Sequence, residues 1–177
     1  MLVFRIIAAA ALVAPLAFPV PSAAQALRTA EPAVAPAPHH EPFQLPLENF
    51  RLTGRFGDVS GLWRREHTGL DFAAPSGTPI HAIAAGAITA ASYDDSYGNK
   101  TILSLDDGTD LWFCHQTRFA VSVGEHVEAG ELIGFVGRTG NATGYHVHIE
   151  IHPGGGDPVD PHVWLTEQGL PPGFTSA

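Results

Sequence analysis

Hydrophobic and polar residues alternate strictly through Tyr145-His-Val-His-Ile-Glu-Ile-His152. This is the mark of a strand with one apolar and one polar face. The spacing sends Val147, Ile149 and Ile151 to a core and aligns His146, His148, Glu150 and His152 on the opposite face. Further apolar stretches, at Pro79–Ile83, Ala87–Tyr93, Lys100–Leu105, Asp110–His115 and Leu132–Val136, are separated by glycine or aspartate turns such as Asp106-Asp-Gly-Thr109. Together they predict a mostly β, antiparallel single domain. Near its end Asp160-Pro161 supplies a cap and first turn for a short C-terminal helix that Gly169 stops.

The amino end follows a different rule. Arg5 precedes an apolar run from Ile6 to Phe18, and Pro21-Ser-Ala-Ala-Gln-Ala26 offers small residues for cleavage after Ala24 or Ala26. Residues 1–26 therefore read as a secretory signal peptide. Pro15 and Pro19 interrupt the run, which is shorter than the roughly 20 apolar residues a membrane span needs, so no membrane anchor is expected after cleavage. Residues 27–46 are rich in alanine and proline and are expected to be a flexible linker. A domain at 47–169 and a tail at 170–177 complete the division. The expected destination is export, to a periplasm or to the cell exterior.

Charge narrows the partners. The chain has 9 basic and 18 acidic residues, a formal net charge of −9. Loss of the signal peptide removes Arg5 and no acidic residue, which moves the charge to −10. Such a balance disfavours nucleic acid and anionic membranes as partners. Cys114 is the sole cysteine, which excludes an intramolecular disulfide and a tetrathiolate metal site. Alternation along its strand is expected to turn Cys114 to the core and His115 to the cleft.

Candidate chemistry gathers at five positions: His67 with Asp71 four residues on, His115, and His146-x-His148. Imidazole and carboxylate are what a catalytic zinc takes, with one position left open. His67 and Asp71 are an even number of residues apart, and Gly69 and Pro75 oppose a helix between them, so both can reach one ion. Glu150, on the histidine face, is expected to orient a ligand, with a general-base role as the alternative. His39, His40, His81, His126, His152 and His162 lack a partner at ligand spacing and read as surface or structural residues.

The segments His67-Thr-Gly-Leu-Asp71, Ala73-Ala-Pro-Ser-Gly-Thr-Pro79, Trp112-Phe-Cys-His115 and Thr143-Gly-Tyr-His-Val-His-Ile-Glu150 resemble those of lysostaphin/LytM-type zinc metallopeptidases, which cleave peptide bonds in bacterial peptidoglycan. The likeness runs from about Phe50 to Leu165. It implies His67, Asp71 and His148 as ligands of one Zn2+ per chain, and His115 and His146 as catalytic residues that do not bind the metal. It implies peptidoglycan as the partner and a barrel-sandwich-like fold of the duplicated hybrid motif type. A weak echo between Gly77-x-x-Ile80 with Gly86 and Gly124-x-x-Val127 with Gly130 fits that duplication. Where relatives of this type often have tyrosine followed by glycine or alanine before the lone histidine, this chain has Phe113-Cys114. Two other classes compete: a non-catalytic wall-binding activator of amidases, which usually lacks ligands, and a biotinyl or lipoyl carrier domain. The carrier needs a lysine at a hairpin tip, and the only lysine is Lys100. Oligomeric state is open.

Overall fold

The computed structural model describes residues 43–59 and 66–173; the signal peptide and most of the linker expected from the sequence lie outside them. Among the described residues, ten strands and one α-helix follow in the order β1 (Arg51–Gly54), β2 (Leu70–Ala73), β3 (Pro79–His81), β4 (Gly86–Asp94), β5 (Gly98–Ser104), β6 (Asp110–Gln116), β7 (Arg118–Phe119), β8 (His126–Val127), β9 (Leu132–Phe135), β10 (His146–His152) and α1 (Pro161–Glu167). The larger sheet has the order β1-β2-β10-β6-β5-β4-β8, and β3-β9-β7 form a smaller one. Every pairing is antiparallel, as the sequence predicts. The six strands read from apolar runs are all present. The four that were not read are short, two to four residues each.

The core lies on one face of the large sheet. Leu70 and Phe72 of β2, Leu111 and Phe113 of β6, and Val147, Ile149 and Ile151 of β10 are fully buried there, with Ile80 and Ile133 from the smaller sheet. Registers pair Ile149 with both Leu70 and Phe113, so the apolar positions of three neighbouring strands share a face, as opposed residues in a sheet must. The echo noted in the sequence has a structural counterpart: Gly77 and Gly124 both take positive φ, and Ile80 and Val127, three residues on, are both buried.

The domain extends in front of residue 47. Phe43 bridges to Ala84, Gln44 N–H donates to Ile83 O at 2.8 Å, His81 N–H donates to Pro46 O at 2.9 Å, and the Phe43 ring meets Trp164 edge-on at 5.7 Å. At the other end Asp160 caps α1 by accepting from His162 N–H, with Pro161 in the first turn, and Gly169 follows at positive φ.

Candidate metal centre

The opposite face of β10 carries the site. Register places His148 beside Asp71 on β2 and beside Cys114 on β6. Gly54 of β1 stands next to Asp71; a Cβ there would lie 2.4 Å from Asp71 Oδ2, so the glycine leaves the carboxylate its space. Gly69 does the same for β10: its missing Cβ would fall 2.2 Å from Ile149 O and 2.8 Å from His148 Nε2. The two small residues let the strands bearing the donors approach closely.

His67, Asp71 and His148 each offer an atom within 4.8 Å of the others, and all three are buried. Asp71 Oδ1 lies 3.1 Å from His67 Nε2 and 2.8 Å from His148 Nδ1, and 3.6 Å from His146 Nε2. Donors of a tetrahedral zinc, each about 2.0–2.2 Å from the ion, stand roughly 3.4 Å apart. An outward shift of a few tenths of an ångström therefore admits the metal, and two imidazoles with one carboxylate are a donor set that zinc takes.

Each ring is aimed by its other nitrogen. His67 Nδ1 meets Arg55 O at 2.9 Å, His115 Nδ1 meets Thr139 O at 2.8 Å, and His146 Nδ1 meets Gly144 O at 3.0 Å. A carbonyl only accepts, so these Nδ1 atoms carry the proton, and in the neutral rings Nε2 is left as a lone pair. His148 is turned the other way: its Nε2 faces Glu150 Oε1 at 3.1 Å and its Nδ1 faces Asp71. A ligating histidine held by an acceptor at its far nitrogen is the usual arrangement at zinc sites.

Burial and hydrogen bonding set the charges. Burial opposes a charged His148, yet its hydrogen bonds to Asp71 and Glu150 and their negative charges prevail, raising its pKa to about 9. Glu150, 1% exposed, is likewise penalised by burial, but hydrogen bonds from His148 and Thr68 hold it at about 2. Asp71 is held far below the usual carboxylate range, its burial outweighed by His148 and His67. His115 goes the other way: burial, then the neighbouring His146, depress it to about 4. Its ring centroid lies 4.8 Å from that of His146 and 5.9 Å from that of His148.

His115 joins this group by an unusual backbone. Among the described residues it is the one non-glycine at positive φ, 61°, a strained conformation of the kind that gathers at functional sites. Its N–H donates to Tyr97 O at 2.8 Å. The left-handed step also corrects the expectation for Cys114. Strict alternation was to send Cys114 and His115 to opposite faces, but Cys114 stands opposite His148 in register and so lies on the site face. The thiol is nonetheless fully buried, and burial, reinforced by the charge of Glu150, pushes its pKa well up. A buried thiol in that state is inert.

Sequence reasoning missed several contributors. Thr68 Oγ1 donates a short hydrogen bond to Glu150 Oε1, and Tyr97 OH donates to the same oxygen at 3.0 Å. Neither residue carries a sequence signal for this. His152 did carry one, its place on the polar face of the alternating run. It is no surface residue: buried, it lies 2.7 Å through Nε2 from Glu150 Oε2.

An antiparallel sheet that gathers a buried His–Asp–His set beside two further histidines defines a metallopeptidase. Residues 65–161, more than half the chain, match the model of peptidase family M23, and the chain belongs to that family. It is 40% identical over 120 residues to the DD-carboxypeptidase/endopeptidase Mpg of Neisseria meningitidis, covering 66% of this chain and 27% of the relative. The chain thus spans about a quarter of that relative's length. Among solved structures it is similar to the catalytic domain of the antimicrobial peptidase lysostaphin from Staphylococcus simulans, with a TM-score of 0.62, 31% identity, and coverage of 66% of this chain and 92% of that one. It is also similar to a zinc-containing peptidase from Vibrio cholerae, with a TM-score of 0.61, 27% identity, and coverage of 67% and 38%.

Proposed function

We propose that this chain is an exported zinc endopeptidase that hydrolyses peptide bonds in bacterial peptidoglycan. His67, Asp71 and His148 are its metal ligands, and His115 and His146 its proton-transfer residues. The supporting observation is the convergence of the three donors with two further rings whose outer nitrogens are each tied to a carbonyl. Family membership agrees with it, as does the 37% identity over 87 residues to a peptidoglycan DD-endopeptidase of Vibrio cholerae. The intact donor set disfavours the non-catalytic activator.

Zinc held there supplies Lewis acidity to a water and to the scissile carbonyl. The chain's own groups handle the protons. His115 rests with a bare Nε2 and begins as an acceptor, and His146, tied at Nδ1 in the same way, turns its Nε2 toward the site. With its pKa near 4, His115 is neutral at pH 7. Whichever ring accepts the water's proton becomes a donor, able to hydrogen-bond the developing oxyanion or to protonate the leaving amine. The adjacency of the two rings allows one to act after the other.

Identity of 40% to the Neisseria DD-carboxypeptidase/endopeptidase, against 36% to a glycyl-glycine endopeptidase of Staphylococcus capitis, favours a D,D cross-link over a glycine bridge as the bond cut. Purified sacculi of both wall types, incubated with the zinc-loaded protein and profiled by mass spectrometry, test this. New muropeptides that vanish with chelator and return with added zinc are expected; unaltered profiles from every wall type would sink the proposal. Export through the signal peptide predicts a secreted chain beginning at Gln25 or Leu27, read by intact mass.

A further inference from the structure

The polar face of β10 does not end at the metal ligand. From His148 it continues to Glu150 and then His152, which are respectively 1% and 7% exposed, and closes on the backbone at Gly156. The contacts are His148 Nε2 to Glu150 Oε1 at 3.1 Å, Glu150 Oε2 to His152 Nε2 at 2.7 Å, and His152 Nδ1 to Gly156 O at 2.8 Å. The two oxygens of Glu150 are unequally served. Oε1 takes Thr68, Tyr97 and His148, whereas His152 is the partner at Oε2 among the described residues. A carboxylate gripped at one oxygen alone swings about its terminal torsion, a broad and weakly restrained rotation. Gripping the second oxygen fixes its plane.

His152 is itself held on three sides. Its ring stacks on Trp112 at 4.2 Å with 26° between planes, Gly156 O anchors the far nitrogen and Glu150 the near one, while Lys100 Nζ, 3.7 Å from the centre of the Trp112 ring, backs the stack. Trp112 stands opposite Glu150 in register, so the stack belongs to the same face. This is more organisation than a structural histidine at the end of a strand needs.

We propose that His152 is a positioning residue for the metal ligand His148, acting through Glu150: it fixes the carboxylate that in turn fixes the imidazole. The inference rests on the reading that His67, Asp71 and His148 hold zinc. Two substitutions separate its two hydrogen bonds. In His152→Gln the amide nitrogen reaches where Nε2 was and keeps the contact to Glu150; in His152→Asn it reaches where Nδ1 was and keeps only the contact to Gly156. Zinc affinity is read by competition with a chromophoric chelator, and thermal unfolding of the metal-free proteins checks the fold. His152→Asn is expected to lose roughly tenfold or more in zinc affinity, the usual range for a group behind a ligand, while His152→Gln stays near wild type. If the Asn variant does not fold, His152→Phe, which keeps the stack on Trp112 and lacks both nitrogens, replaces it with the same expectation. Equal affinities for the two variants, whether both normal or both reduced, would overturn the inference while leaving the zinc site intact. A wild-type protein that takes up no zinc would overturn both.

Discussion

His146 and His148 are two residues apart on one strand, yet they turn different atoms inward. His148 presents Nδ1 because Glu150 occupies its Nε2, and His146 presents Nε2 because Gly144 O occupies its Nδ1. In the proposed assignment His148 is a metal ligand and His146 a proton carrier. His148→Ala is expected to lose bound zinc and hydrolysis together. His146→Ala should retain zinc, measured as metal per chain by elemental analysis, while turnover falls roughly 100-fold or more, the usual worth of a positioned acid–base group. The same contacts set a pH dependence. In the metal-free protein His148 is charged below about pH 9, and a metal at Nδ1 must displace that proton. Zinc affinity should therefore rise by about tenfold per pH unit up to that point and level off above it. The sign is fixed by the raised pKa. A flat profile between pH 6 and 8 in a chelator competition would contradict the charged ring.

At the scale of elements, β10 is the organiser, because it is paired on both sides and splits its residues between core and site. Its closeness to the segment leading into β2 depends on Gly69. Gly69→Ala would drive a methyl into Ile149 O and the His148 ring and should cost about 1–3 kcal/mol, seen in chemical denaturation, with weaker zinc binding as His148 is pushed aside. The turn between β4 and β5 is a second organiser. Asp94 Oδ1 accepts from Ser96 N–H at 2.8 Å and from Tyr97 N–H at 3.0 Å, which lowers its own pKa. Tyr97 then offers its carbonyl to His115 and its hydroxyl to Glu150. Asp94→Ala should cost only about 1 kcal/mol in stability but reduce turnover more than zinc content, because His115 loses its fixed backbone. Equal losses in both would argue against this path.

For the molecule as a whole, core and site lie back to back on the large sheet, which makes them separable. Ile149→Ala empties a fully buried position and should destabilise by roughly 2–5 kcal/mol. The fraction that remains folded should still bind zinc, since Ile149 faces away from the donors.

Long alternating or apolar runs declared β3 to β6, β9 and β10, because burying one face of a strand demands that periodicity over five or more residues. Pairing with neighbouring strands, not a run of this kind, defines β1, β2, β7 and β8. The sequence alone determined the antiparallel β class, the short helix behind Asp160-Pro161, and the residue types a zinc site requires, since periodicity, capping and donor chemistry are local. It could not assign His152, Tyr97 and Thr68 to Glu150, nor place Cys114 on the site face. Those facts depend on strand register and on one left-handed residue at His115, and register is set only when distant segments bury their apolar faces together.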